Sequence, residues 1–247
     1  MKASAVYELL QKKAPFETAE PYDNVGLLVG SADSEVTCVL VTLDITHGAV
    51  DRAIELGAQL IVSHHPVIFD PLRTLAAGSI PYRLAQHGIT AICAHTNLDR
   101  AVGGVNDCLC ERLGLTDVRL GPDEMCRIGK LPTALTAEDF GKLVSRVLDT
   151  PVRLKAGTAP VRTVALCGGG AGDRVLPLLD EADAALTGEV KHHVWLAVPP
   201  EKTMADGGHY ATEVVVTERL TAWLTEAFPT LAVELHRGNA PYITVKD

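Results

Sequence analysis

The sequence predicts an α/β fold, with an internal echo that fits two related α/β domains facing each other. Three observations predict it. Short apolar runs rich in β-branched residues recur along the chain, helical periodicities separate them, and a strand–turn–helix–strand pattern occurs twice. The runs are Val36–Leu43, Gln59–Ser63, Ile89–Ala94, Thr163–Cys167 and Ala184–Thr187. Their lack of polar alternation suits strands covered on both faces, so the sheet is expected to be mainly parallel.

The elements follow in order. In Tyr22–Gly30 (YDNVGLLVG), Asp23 and Asn24 suit a turn, and Gly26 and Gly30 relieve crowding. By itself that stretch reads as structural. Gly48–Leu56 places Val50, Ala53 and Ile54 on one helical face, and Gly57 suits the helix end. A further helix is expected near Val105–Leu113. Thr136 is the expected N-cap of a helix through Leu148, with Phe140, Leu143, Val144 and Val147 along its apolar stripe. After Thr163–Cys167 come a Gly168-Gly169-Gly170 turn and a helix over Asp173–Asp180. Val216, Leu220, Trp223 and Leu224 mark a C-terminal helix buried on one side. The two halves echo each other, one running from Asp44 to His64-His65 and the other from Gly168 to His192-His193. Kinship between them and coincidence of two ordinary βαβ units both remain open. Prolines 122, 132, 151 and 160 predict a boundary within Gly121–Pro160. The expected division is 1–125, then 126–190, then a segment 191–247 that returns toward the first domain's site.

Composition narrows the function. Lys plus Arg is 22 against 31 for Asp plus Glu, a net charge of −9, which opposes general binding to nucleic acid or anionic membrane. Met1–Glu20 lacks the apolar core of a signal peptide, and no stretch approaches a membrane span, so a cytoplasmic protein is expected. The six cysteines include no C-x-x-C pair and read as buried reduced thiols. There is no G-x-S-x-G elbow, and the glycine run at 168–172 leads to Asp173-Arg174, not to the Lys-Ser or Lys-Thr of a phosphate-binding loop.

The nine histidines are not scattered. His64 and His65 follow an apolar strand, where open α/β sheets place their sites. In an extended backbone the two would point to opposite sides, each serving a different ion. Alone, the doublet is equally a strand cap beside an exposed residue. His95, Asn97 and Asp99 follow the next apolar strand, and Asn97 and Asp99 also suit a turn. His209 and Glu213 stand four apart, which stacks them on one helical face as a divalent half-site or as a surface pair. Glu189, Lys191, His192 and His193 would suit a substrate-facing wall, with Lys191 able to meet phosphate, or an ordinary polar turn. Together His64, His65, Asp99, His209 and Glu213 form a mixed nitrogen and oxygen donor set. It suits zinc, iron, manganese or nickel better than calcium, and it is large enough for two ions activating a bridging water.

At these residues the chain resembles the GTP cyclohydrolase I type 2 homologue family, also called the Nif-three-like family. The matching pieces are YDNVGLLVG at 22–30, SHHP at 63–66, HTNLD at 95–99, GGVND at 103–107, TGEVKHH at 187–193 and GHYATE at 208–213. At 247 residues it looks like the family's short form, without the inserted middle domain. The resemblance implies a dinuclear metal site at the interface of the two domains. His64, Asp99 and Glu213 would hold one divalent ion, and His65, His209 and Glu213 the other. His95, His192 and His193 would line the cavity as catalytic candidates. It also implies a ring-shaped homohexamer, a trimer of dimers. The expected function is a metal-dependent hydrolase acting on GTP or a related nucleotide or heterocycle through a metal-bridging hydroxide. The rival is a non-enzymatic metal-binding toroidal adaptor or regulatory protein; a nucleic-acid factor would need a basic surface. Two divalent ions would add roughly four positive charges locally, so the acidic bulk need not repel a small anionic substrate.

Overall fold

The computed structural model describes residues 1–242, which form two compact units, 1–102 with 216–242 and 103–215. The first unit opens with helix α1 (Ala3–Lys13) and strand β1 (Gly26–Val29). Two βαβ steps follow: β2 (Cys38–Thr42), α2 (His47–Leu56), β3 (Leu60–Ser63), α3 (Ile80–Gln86) and β4 (Thr90–Cys93), then the short α4 (Thr96–Arg100). β2, β3 and β4 pair in parallel and every residue in them is buried, as their unbroken apolar runs require. α2 begins where the Thr46 hydroxyl accepts the Ala49 N–H (3.1 Å) and ends at Gly57 with φ +63°. Ala49, Val50 and Ala53 of α2, with Leu84 of α3, pack on Leu40, Ile61 and Ala91 of the sheet.

The second unit begins with α5 (Val105–Leu113) and strands β5 (Thr116–Leu120) and β6 (Arg127–Leu135). It continues through α6 (Ala137–Leu148), β7 (Arg153–Lys155), β8 (Val161–Leu166), α7 (Gly172–Val175) with a 3-10 turn at Pro177–Asp180, and β9 (Ala184–Thr187). Then come α8 (His192–Ala197), β10 (Thr203–Asp206) and α9 (His209–Glu213). The sheet order is β5-β6-β8-β9-β10-β7, with β8, β9 and β10 parallel and the outer pairings antiparallel. Alternate side chains of the central strands feed two cores: Ala165, Ala185 and Met204 meet Val175 and Val194, while Val164, Leu166, Leu186 and Ala205 meet Phe140, Val144 and Leu109. The expected Thr136 cap is present, its hydroxyl accepting the Asp139 N–H at 3.1 Å.

α10 (Val215–Ala227) and β11 (Ala232–His236) then return to the first unit, where β11 adds in parallel to β2 and completes the order β1-β4-β3-β2-β11.

The α/β class is as the sequence predicts; the division is not where the prolines pointed. Residues 121–160 lie inside the second unit and supply β6, α6 and β7. Pro132, read as punctuation, falls where the β6–β8 register shifts between Lys130 and Leu135, so its missing N–H breaks no ladder bond. GHYATE belongs to the second unit, and the segment that returns is 216–242. The sheets are also less uniformly parallel than expected, and the turn-like YDNVGLLVG stretch carries β1, antiparallel to β4. All six cysteines are buried and outside disulfides. Among the described residues no helix is long and apolar enough to cross a membrane.

Candidate metal-binding site

In the first unit the donors stand at the carboxyl ends of neighbouring parallel strands. The chain bends immediately after β3, so His64 and His65 do not splay to opposite faces as an extended backbone would require. Their ring centroids lie 4.9 Å apart, and the His95 ring, just beyond β4, is 5.2 Å from His64 and 5.5 Å from His65. One nitrogen from each of these three rings can lie within 4.8 Å of the other two. Asp99, buried in α4, brings Oδ1 to 3.7 Å from His64 Nε2. Asn97 fixes the α4 turn by accepting the His95 N–H (2.9 Å) and donating to the Ala14 carbonyl (2.7 Å). The turn role of Asn97 and the ligand candidacy of Asp99 therefore coexist.

Every imidazole here is held by its Nδ1. His64 Nδ1 donates to the Ala94 carbonyl (3.0 Å), His65 Nδ1 to Asp44 (2.7 Å) and His95 Nδ1 to Asp23 (2.8 Å). A carbonyl or ionised carboxylate only accepts, so Nδ1 carries the hydrogen and, in the neutral ring, Nε2 carries the lone pair. Burial works against the Asp23 charge. Hydrogen bonds from His95 and from the Thr96 hydroxyl and N–H outweigh it and hold the carboxyl well below the usual carboxylate range. Asp23 therefore stays anionic behind His95.

The second unit repeats the arrangement. His209 Nδ1 lies 2.9 Å from Glu189 Oε1, and its Nε2 lies 3.0 Å from Glu213 Oε2. Buried Asp206 sets this up from the end of β10 by accepting the N–H groups of Val190 (3.1 Å) and Gly208 (3.0 Å). Glu213 lies against the glycine turn after β8. Gly169 has φ +64°, and a Cβ there would collide with Glu213 Oε1. The turn is pinned by Thr212, which accepts the Gly169 N–H (3.1 Å), and by Asn106, which accepts the Gly168 N–H (2.8 Å).

His192 and His193 are exposed at the start of α8, with His193 3.5 Å from Asp173. Lys191, suggested for phosphate, pairs with Asp173 at 2.7 Å. Sequence reasoning assigned no role to Asp23 beyond a turn and gave none to Asn106. The histidine pattern could have prompted a search for carboxylates near each strand end, which is where Asp44 lies.

Histidines aligned through Nδ1 on oxygen acceptors, with carboxylates beside Nε2, define a class of candidate divalent-metal sites. The model of the Duf34/NIF3 (NGG1p interacting factor 3) family matches residues 1–240, and the chain belongs to that family. A Lactococcus lactis relative named GTP cyclohydrolase 1 type 2 homolog is 34% identical over 226 residues, covering 85% of this chain and 86% of the relative. Staphylococcus aureus relatives of the same name are 42% identical over 144 residues, 57% of this chain, and the match spans only 39% of their own length. The crystal structure of Staphylococcus aureus protein SA1388 is similar at TM-score 0.88 and 29% identity, over 99% of both chains. A Bacillus cereus protein related to NIF3, at TM-score 0.90 and 23% identity over 99% of both chains, shares the fold.

Proposed function

We propose that this protein is a divalent-metal-dependent hydrolase acting on GTP or a related nucleotide or nitrogen heterocycle. His64, Asp99 and Glu213 would hold one ion, and His65, His209 and Glu213 the other. The observation that carries the reading is the common state of His64, His65 and His209. Each has Nδ1 committed to an oxygen acceptor, which leaves Nε2 as the ligand atom. The fit is one of donor chemistry: imidazole nitrogen with carboxylate oxygen suits zinc, iron, manganese or nickel. Bound there, such ions supply Lewis acidity and lower the pKa of a coordinated water.

The chain's own residues have separable tasks. Glu213 contributes negative charge from a buried position. Asp44 and Glu189 orient the rings of His65 and His209. His95, backed by anionic Asp23, is poised to take or give a proton at Nε2. That assignment favours His95 over exposed His192 and His193. The name shared by the Lactococcus and Staphylococcus relatives supports the substrate class.

Two measurements test this. Metal-loaded protein should turn over GTP or a member of a nucleotide and heterocycle panel, and Glu213→Ala should lose that turnover; equal rates in both proteins contradict the reading. Tight stoichiometric metal with no turnover across the panel would favour the adaptor alternative. Asp44→Ala and Glu189→Ala should each weaken metal binding by about 10- to 100-fold in competition with a chelating dye. Unchanged affinity in both would remove their orienting role. We also propose a homohexamer, for which light scattering should give about six times the 26.3 kDa chain mass; a monomer's mass contradicts it.

A further inference from the structure

The segment between β3 and α3 has no regular structure, and residues 69–78 are all exposed. Phe69 is 46% exposed, yet it is not loosely placed. The Asn24 side-chain amide donates to the carbonyl of Ile68, the residue before it, at 2.6 Å. The Phe69 ring stands 6.4 Å from His95, nearly perpendicular to it. Adjacent residues of the YDNVG stretch thus hold two parts of one wall: Asp23 orients His95, and Asn24 anchors the backbone next to Phe69. An aromatic ring kept in water beside a polar imidazole offers a π face and a hydrogen-bonding group together. A planar nitrogen heterocycle uses both; a phosphate group or an aliphatic acid uses at most the imidazole.

We propose that Phe69 is the stacking platform for the heterocyclic ring of the substrate and that Asn24 is its positioning residue. The inference rests on the function proposed above and adds where the ring is recognised. Asn24 donates its side-chain amide to the backbone that carries the platform.

The test is calorimetric titration of the metal-loaded full chain with GTP and with ATP, and with inorganic triphosphate as the probe that lacks a ring. Phe69→Ala should weaken both nucleotides by about 5- to 150-fold, the range of one lost base–aromatic stack. It should change triphosphate affinity less than about two-fold. Phe69→Tyr should stay within about three-fold of wild type. Asn24→Asp keeps the size but loses the donor, so it should also weaken the nucleotides; added to Phe69→Ala it should cost little more. Metal stoichiometry, measured in parallel, should be unchanged in every variant. Nucleotide affinity indifferent to Phe69→Ala, or an equal loss for triphosphate, overturns the platform. A wild-type protein that binds metal but neither nucleotide overturns it too and leaves the metal centre standing. Phe69-dependent nucleotide binding without metal binding would instead overturn the metal reading alone.

Discussion

Replacing Glu213 by glutamine should cut divalent-metal affinity by more than about 100-fold and reduce turnover at least in proportion, while the second unit stays folded. The substitution keeps the side chain's volume, so its packing against Gly168 and the Gly169 turn survives. It removes the negative charge that lies 3.0 Å from His209 Nε2. A neutral amide is a poor ligand for these ions, and the proposed centre uses Glu213 for both of them, so one substitution should affect two sites. Because a ligand that binds only the native state stabilises it, added metal should raise the melting temperature of wild type and barely move that of Glu213→Gln. Two ions retained at wild-type affinity in the variant would contradict the assignment.

The largest stability effect is expected at Arg127→Leu, about 3 kcal/mol in urea unfolding. Arg127 is among the largest fully buried side chains. Its Nε donates to Asp107 Oδ1 at 2.5 Å, and a terminal nitrogen donates to the Met125 carbonyl at 2.8 Å. Deleting the guanidinium leaves Asp107, whose Oδ2 still accepts the Gly103 N–H (2.6 Å), without its counter-charge and facing an apolar replacement, and that lost counter-charge is what makes one-sided disruption of such a pair costly. Asp107 is 20% exposed, so water softens the penalty and the lower part of the usual range applies. Arg127→Leu with Asp107→Leu should recover much of the loss, since removing both charges also removes the desolvation cost. A single-variant loss below about 1 kcal/mol would show that water, not Arg127, compensates Asp107. The neighbouring Asn106 donates to the same Met125 carbonyl (3.0 Å) and accepts from Gly168 (2.8 Å), so this region also supports the turn beside Glu213.

The parallel strands were legible because apolar runs such as Val36–Leu43 leave few alternatives. The candidate donors were legible because they stand at strand ends or four apart on a helix. What escaped depended on pairing between distant segments. β6 was hidden by Pro132, which is harmless only because the ladder shifts register there. β5 was hidden because all its residues are exposed. The same holds for the His64-His65 geometry: the period-two rule fails because the strand ends at Ser63, one residue before the doublet. Asp23 looked like a turn former, since nothing in its neighbourhood announces a histidine 72 residues away.

In the proposed centre His64, His65 and His209 would present Nε2, with Asp99 and Glu213, to a pair of divalent ions. Anomalous X-ray diffraction from metal-loaded crystals tests it most directly. Two peaks per chain are expected, each about 2.0–2.2 Å from the Nε2 atoms assigned to it, with Asp44 and Glu189 still on Nδ1. Coordination through Nδ1, or peaks only at sites away from these five side chains, would contradict it.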